Sequence, residues 1–154
     1  MIRPTFDAVL RDYPRKTERA PLFSDIGWGD LTDNKAYWDT CAIRMSYALL
    51  NAGVTLTGAR MKAKAGKISG RYIEPGQARL SKILKRIWGD PEVYSDKSAA
   101  REGIGTRTGV VSFFRIEGGS GGHIDLIWPG PFGFQQCARS CYFTATSIWF
   151  WPLR

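Results

Sequence analysis

The chain has 154 residues, 44% of them hydrophobic and 13% aromatic, enough apolar material for one core and too little for two, so a single domain over residues 1–154 is expected. Its 22 basic and 14 acidic residues leave a net charge of +8, which suits a nucleic-acid backbone, an anionic membrane surface or an acidic wall polymer without choosing among them. No run of roughly eighteen apolar residues occurs, so no transmembrane helix is expected; Met1 to Tyr13, interrupted by Pro4, Asp7 and Arg11, lacks the basic and apolar regions of a secretory signal.

Phe6, Val9, Leu10 and Tyr13 recur at helical spacing behind Thr5, a capping residue, and Pro14 closes the segment, which predicts a short first helix. Pro21 to Asn34 turns to Gly, Asp, Ser and Thr with isolated aromatics and reads as an ordered loop. Asp39 to Ala52 is apolar nearly all round and is followed by Gly53, which suits the position after a helix end; a buried central helix is predicted. Thr55 to Gly70, rich in Lys and Gly, reads as loop with room for one short strand.

Pro75 fits the first turn of a further helix, along which Leu80, Ile83, Leu84, Ile87 and Trp88 form one stripe before Gly89 ends it. After the charged, small-residue stretch Ser95 to Arg107, strands are predicted at Gly109 to Ile116, Gly122 to Trp128 and Tyr142 to Pro152. Helices followed by strands predict an α+β fold, with the helices packed against one face of an antiparallel sheet.

The basic residues are scattered, with short concentrations at Arg60 to Lys67 and Lys82 to Arg86, and no nucleic-acid module surrounds them; no nucleic-acid partner is expected. The three cysteines divide into Cys41 alone and the close pair Cys137 and Cys141. With a single histidine in the chain, a structural zinc site is a poor reading. The pair can form a disulfide if the residues between them turn, or remain as two thiols.

Asp39 or Thr40 can cap the central helix and so puts Cys41 in its first turn, where unpaired amides and the helix dipole favour negative charge; an acidified thiol is expected there, beside N–H groups able to hold an oxyanion. The alternative is that Cys41 is a small buried hydrophobe. His123 follows the glycine-rich Gly118 to Gly122 and opens an apolar strand, where an accessible imidazole can serve as base. A cysteine at a helix start with a histidine at a strand start far downstream is the order of papain-like folds, and it makes Cys41 and His123 the candidate nucleophile and base. Trp28, Tyr37 and Trp38, just upstream of the cysteine, are candidates for groove walls or for core.

Met1-Ile-Arg-Pro-Thr-Phe-Asp7, Thr40-Cys-Ala-Ile-Arg-Met-Ser-Tyr47, Gly121-Gly-His-Ile-Asp-Leu126, the Cys137/Cys141 pair and Ser147-Ile-Trp-Phe-Trp151 resemble the fourth family of type VI secretion amidase effectors. The resemblance implies a papain-like cysteine amidase, needing neither metal nor organic cofactor, that cuts the γ-D-glutamyl to meso-diaminopimelate bond of peptidoglycan stem peptides. It implies a protein made in the cytoplasm, exported by the secretion apparatus without a signal peptide and active in the periplasm of the target bacterium, where the disulfide can form. A cognate immunity protein that occupies the cleft is implied as partner; no membrane partner is. Similar family members carry an aspartate between the paired cysteines to orient the histidine, where this chain has Ala138, Arg139 and Ser140. That role falls instead to Asp125, two residues along the strand and so on the same face as His123, or to a backbone carbonyl, or to Gln135 or Gln136. The alternative from another class is a non-catalytic wall- or nucleic-acid-binding module; within the enzyme class, it is a papain-like enzyme acting on another amide bond.

Overall fold

The structure, a computed structural model, describes residues 2–118 and 121–154; Met1, Gly119 and Ser120 lie outside it. In chain order its elements are α1 (Phe6–Arg11), α2 (Arg19–Asp25), α3 (Cys41–Asn51), β1 (Met61–Lys62), β2 (Tyr72–Ile73), α4 (Gln77–Trp88), β3 (Glu92–Tyr94), α5 (Lys97–Ile104), β4 (Gly109–Ile116), β5 (His123–Pro129), β6 (Gln135–Cys137) and β7 (Ala145–Pro152). β3 to β7 form one antiparallel sheet in the order β3-β7-β4-β5-β6, and β1 and β2 pair separately. This is the expected α+β architecture, with N-terminal helices packed on an antiparallel sheet.

Successive strand residues point to opposite faces, and here both faces are apolar. Val110, Ile124, Leu126 and Trp151 share a core with α1, α3 and α4, whereas Val111, Phe113, Ile127, Ile148 and Phe150 pack on Ala100 and Ile104 of α5. The expectation of helices on one face only is therefore corrected. Its cause is α5, in the charged, small-residue stretch for which no helix was expected: Asp96 caps it by accepting the Ala99 N–H at 2.8 Å, and Ala100 and Ile104, one turn apart, supply its apolar face.

α2 likewise replaces an expected loop. Pro21 lies in its first turn, where a missing N–H costs nothing, and Leu22 and Phe23 are buried beneath it. α1 and α4 follow the sequence pattern: Thr5 accepts the Ala8 N–H at 3.2 Å, and the Leu80, Ile83, Leu84 and Trp88 stripe is buried. Pro75 precedes α4 instead of entering its first turn, because the helix starts at Gln77 behind Gly76.

α3 runs through the core. Its two buried polar side chains are both bonded: Ser46 to the Glu74 main chain, and Arg44 to Thr40 Oγ1 (2.9 Å) and to the Pro14 and Thr17 carbonyls (2.6 Å each). Arg44 thus ties residues 14–17 to the start of α3, and these three acceptors satisfy a guanidinium that is itself buried. α4 is fastened to the sheet by Ser81 Oγ and Gln77 Nε2, which lie 2.6 and 2.7 Å from Ser112 Oγ on β4. Among the described residues no helix is long and apolar enough to cross a membrane.

Candidate active site

Cys41 opens α3 and is 5% exposed. The main-chain N–H groups of Ile124 and Ala42 favour its anion, and α3 packs against β5. Thr40 is the helix cap but spends its hydroxyl on Arg44; Asp39 Oδ1 takes the Cys41 N–H at 3.0 Å. This arrangement reverses the expected acidification of the thiol. Burial first, and then the Asp39 carboxylate, push the Cys41 thiol up, opposed only in part by those two N–H groups. Both effects disfavour the thiolate in the resting site.

His123 opens β5, and its position depends on the glycine before it. A Cβ on Gly122 would lie 2.2 Å from Gln77 Oε1 and 2.5 Å from the Phe113 carbonyl, so only glycine lets the strand begin there. The imidazole stacks on Phe113 (centroids 6.3 Å apart, 12° between planes) and meets Tyr142 edge-on at 5.1 Å. Its Nε2 lies 2.7 Å from Asp125 Oδ2. A carboxylate at that distance holds the proton on Nε2 and leaves the Nδ1 lone pair as the basic one.

Asp125 is fully buried. Its Oδ1 accepts the N–H groups of Leu126 (2.7 Å) and Ala138 (3.0 Å), and its Oδ2 accepts those of Arg139 and Ser140 (3.0 Å each). A buried carboxylate costs several kcal/mol unless it is paired, and four amides with an imidazole supply the pairing. Three of those amides belong to residues 138–140, the positions where the family resemblance leads one to expect an aspartate. Here that segment gives main-chain N–H groups, and the carboxylate comes from the strand. The Cys137–Cys141 disulfide closes the segment, with Cα atoms 5.3 Å apart. Gln135, weighed for the orienting role, turns instead to α5 and donates to the Arg101 and Gly105 carbonyls.

Cys41 and His123 border one cleft of about 620 Å³, lined also by Asp39 and Thr40, by the aromatics Trp38 and Tyr142, and by the basic Arg15, Lys16 and Arg139. Of the three aromatics weighed as groove walls, Trp28 is core, 2% exposed with its indole N–H on the Lys62 carbonyl, and Tyr37 packs against it. Trp38 is 66% exposed and stands in the cleft, with the Arg19 guanidinium 4.7 Å from its ring. Arg15, Lys16, Arg139 and Tyr142 were not singled out in the sequence as cleft residues; for Arg139 and Tyr142 the one available signal was their nearness to the cysteine pair. Among the described residues no group of three or more His, Cys, Asp or Glu side chains gathers to hold a metal ion.

A cysteine starting a buried helix, packed on a sheet whose strand starts with a histidine, is the papain-like arrangement. The fold is similar to that of solved type VI effectors. It matches the Tae4–Tai4 effector–immunity complex from Enterobacter cloacae with a TM-score of 0.75 at 20% identity, over 99% of this chain and 100% of that one. The effector Tae4 alone from Enterobacter cloacae matches at 0.74 and 20%, over 99% and 98%, and the Tae4–Tai4 complex from Salmonella Typhimurium at 0.74 and 18%, over 99% and 100%. No curated protein sequence matches the chain. The family model described as type VI secretion system (T6SS), amidase effector protein 4, matches residues 37–151, a span that takes in Cys41, His123 and Asp125. By that match, the chain belongs to the type VI secretion amidase effector 4 family.

Proposed function

We propose that residues 1–154 act as one papain-like amidase domain, a cysteine DL-endopeptidase that hydrolyses the γ-D-glutamyl to meso-diaminopimelate bond of peptidoglycan stem peptides in the periplasm of a target bacterium. The observation that carries this reading is the meeting of Cys41 and His123 on one cleft, with His123 Nε2 held by Asp125 and its Nδ1 left to act as base. Burial and Asp39 disfavour a standing thiolate, so His123 Nδ1 takes the thiol proton as the sulfur attacks the amide carbonyl. The oxyanion so formed takes over the Cys41 N–H, which rests on Asp39 beforehand. His123 then gives its proton to the leaving amine as the C–N bond breaks. Water, deprotonated by the same imidazole, hydrolyses the thioester to a carboxylic acid and returns the thiol. Asp125 orients the ring throughout and steadies its charged form.

Solved structures similar to this chain include effectors bound to the immunity protein Tai4. By analogy, a cognate immunity protein covers this cleft in the producing cell, and the secretion apparatus carries the effector out. An oxidising periplasm suits the Cys137–Cys141 bridge. Digestion of purified sacculi with mass analysis of the fragments tests the bond: cleavage there yields peptides with a new diaminopimelate amine. Fragments cut elsewhere, or casein cut in place of sacculi, would reassign the substrate.

A further inference from the structure

Arg15, Lys16 and Arg139 bring three positive charges to the cleft, against one carboxylate, Asp39, which is engaged by the Cys41 N–H. Among the described residues none of the three forms an ion pair. Two of them are interlocked. Arg15 Nε donates to the Ala138 carbonyl at 2.7 Å while its guanidinium lies 5.3 Å from the Trp128 ring centroid, and Arg139 Nη1 donates to the Arg15 carbonyl at 2.9 Å. The Arg139 main-chain N–H bonds the same Asp125 oxygen that holds His123. The guanidinium is thus located with respect to the imidazole by the main chain behind it and by the latch in front.

A guanidinium carries five N–H donors in a rigid fork, and the latch uses one from each arginine. What remains is an uncompensated, preorganised pair of forks beside the reacting groups, in a cleft with aromatic walls. That is the chemistry that binds a planar carboxylate, because two parallel N–H···O bonds match its geometry and fixed cations focus the field on it. An amide linked through the side-chain carboxyl of a glutamyl residue leaves that residue's α-carboxylate free beside the scissile carbonyl.

Building on the amidase reading above, we propose that Arg139, braced by Arg15, binds a free carboxylate on the residue that donates the scissile carbonyl, and so makes the enzyme selective for that acid over its carboxamide. Arg139 is a specificity determinant that leaves the bond-breaking steps to Cys41 and His123.

The test uses two synthetic stem peptides that differ only in carrying an α-carboxylate or an α-carboxamide on the glutamyl residue, with kcat/KM measured for the wild-type protein, Arg139→Gln and Arg139→Lys. A charged hydrogen-bonded contact predicts a wild-type preference for the acid on the order of 10-fold or more. The preference collapses towards unity in Arg139→Gln, mainly through a higher KM for the acid. In Arg139→Lys, which keeps the charge but not the fork, it is intermediate. Because the Asp125 contact uses the main chain, it survives both substitutions. A wild-type protein that cuts both peptides equally, or an Arg139→Gln variant that slows both in equal proportion, overturns the inference and leaves the bond assignment standing. If the wild-type protein cuts neither peptide, the bond assignment falls and takes this inference with it.

Discussion

Asp125 Oδ2 lies 2.7 Å from His123 Nε2, and the carboxylate that makes this bond is itself fixed by four main-chain N–H groups, three of them from the segment closed by the Cys137–Cys141 bridge. The geometry of the candidate base is therefore set by a chain of contacts running from the disulfide through residues 138–140 to Asp125 and then to the imidazole.

Asp125→Asn keeps the shape and removes the charge. Its NH₂ group must face either the imidazole or an amide N–H, so the fold should lose about 1–3 kcal/mol, read from a urea melt. Activity at a temperature where the variant is fully folded should fall on the order of 100-fold or more in kcat, with little change in KM. An unchanged kcat in the folded variant would return the orienting role to a main-chain carbonyl.

Reducing the disulfide, or replacing both of its cysteines by serine, frees residues 138–140. The bridge closes so small a loop that its direct contribution to stability is modest. The rate should nevertheless drop on the order of 10-fold or more as Asp125 loses its amides, and return when the reduced protein is reoxidised. Equal rates in dithiothreitol and in oxidised buffer would show that the amide cradle holds without the bridge.

Asp39→Asn probes the raised thiol pKa. A carboxylate beside a thiol disfavours the thiolate, so its removal must lower the pKa, while the asparagine oxygen can still accept the Cys41 N–H. In the wild-type protein, alkylation of Cys41 by iodoacetamide should rise only above the pH range of an ordinary cysteine. In the variant the rise should begin at lower pH and the rate at pH 8 should be higher. A slower variant would mean that Asp39 does not govern the sulfur.

Gly122→Ala should cost about 1–3 kcal/mol and more than 10-fold in rate, because the added methyl meets the Phe113 carbonyl, a main-chain atom that cannot swing aside, and the strand that begins with His123 has to move. Adding Gln77→Ala relieves only the side-chain part of the clash and should not restore activity. Thermal melts and rates on sacculi, taken together, check both statements.

Much of this architecture was legible in the sequence where one pattern dominates. Leu80, Ile83, Leu84 and Trp88 announce α4, and the apolar run Gly109 to Ile116 announces β4 to the residue. α2 and α5 were missed because Pro21 and the polar, small residues after Asp96 read as breakers when taken alone, although proline is harmless in a first turn and Asp96 is a cap. The place of Cys41 in the first turn of α3 follows from the capping residues before it, and the shared face of His123 and Asp125 from their spacing. The state of the thiol does not, since it depends on burial and on which group takes the Cys41 N–H, and both are tertiary facts. The role of Arg139 was not legible for the same reason: its place at the cleft comes from the segment between two cysteines and from Arg15, more than a hundred positions away.

The most direct test of the account is the digestion of purified sacculi by Cys41→Ala, with folding checked by circular dichroism. The account predicts a native spectrum and melting temperature with no released peptides. A folded Cys41→Ala protein that still released peptides at the wild-type rate would contradict it.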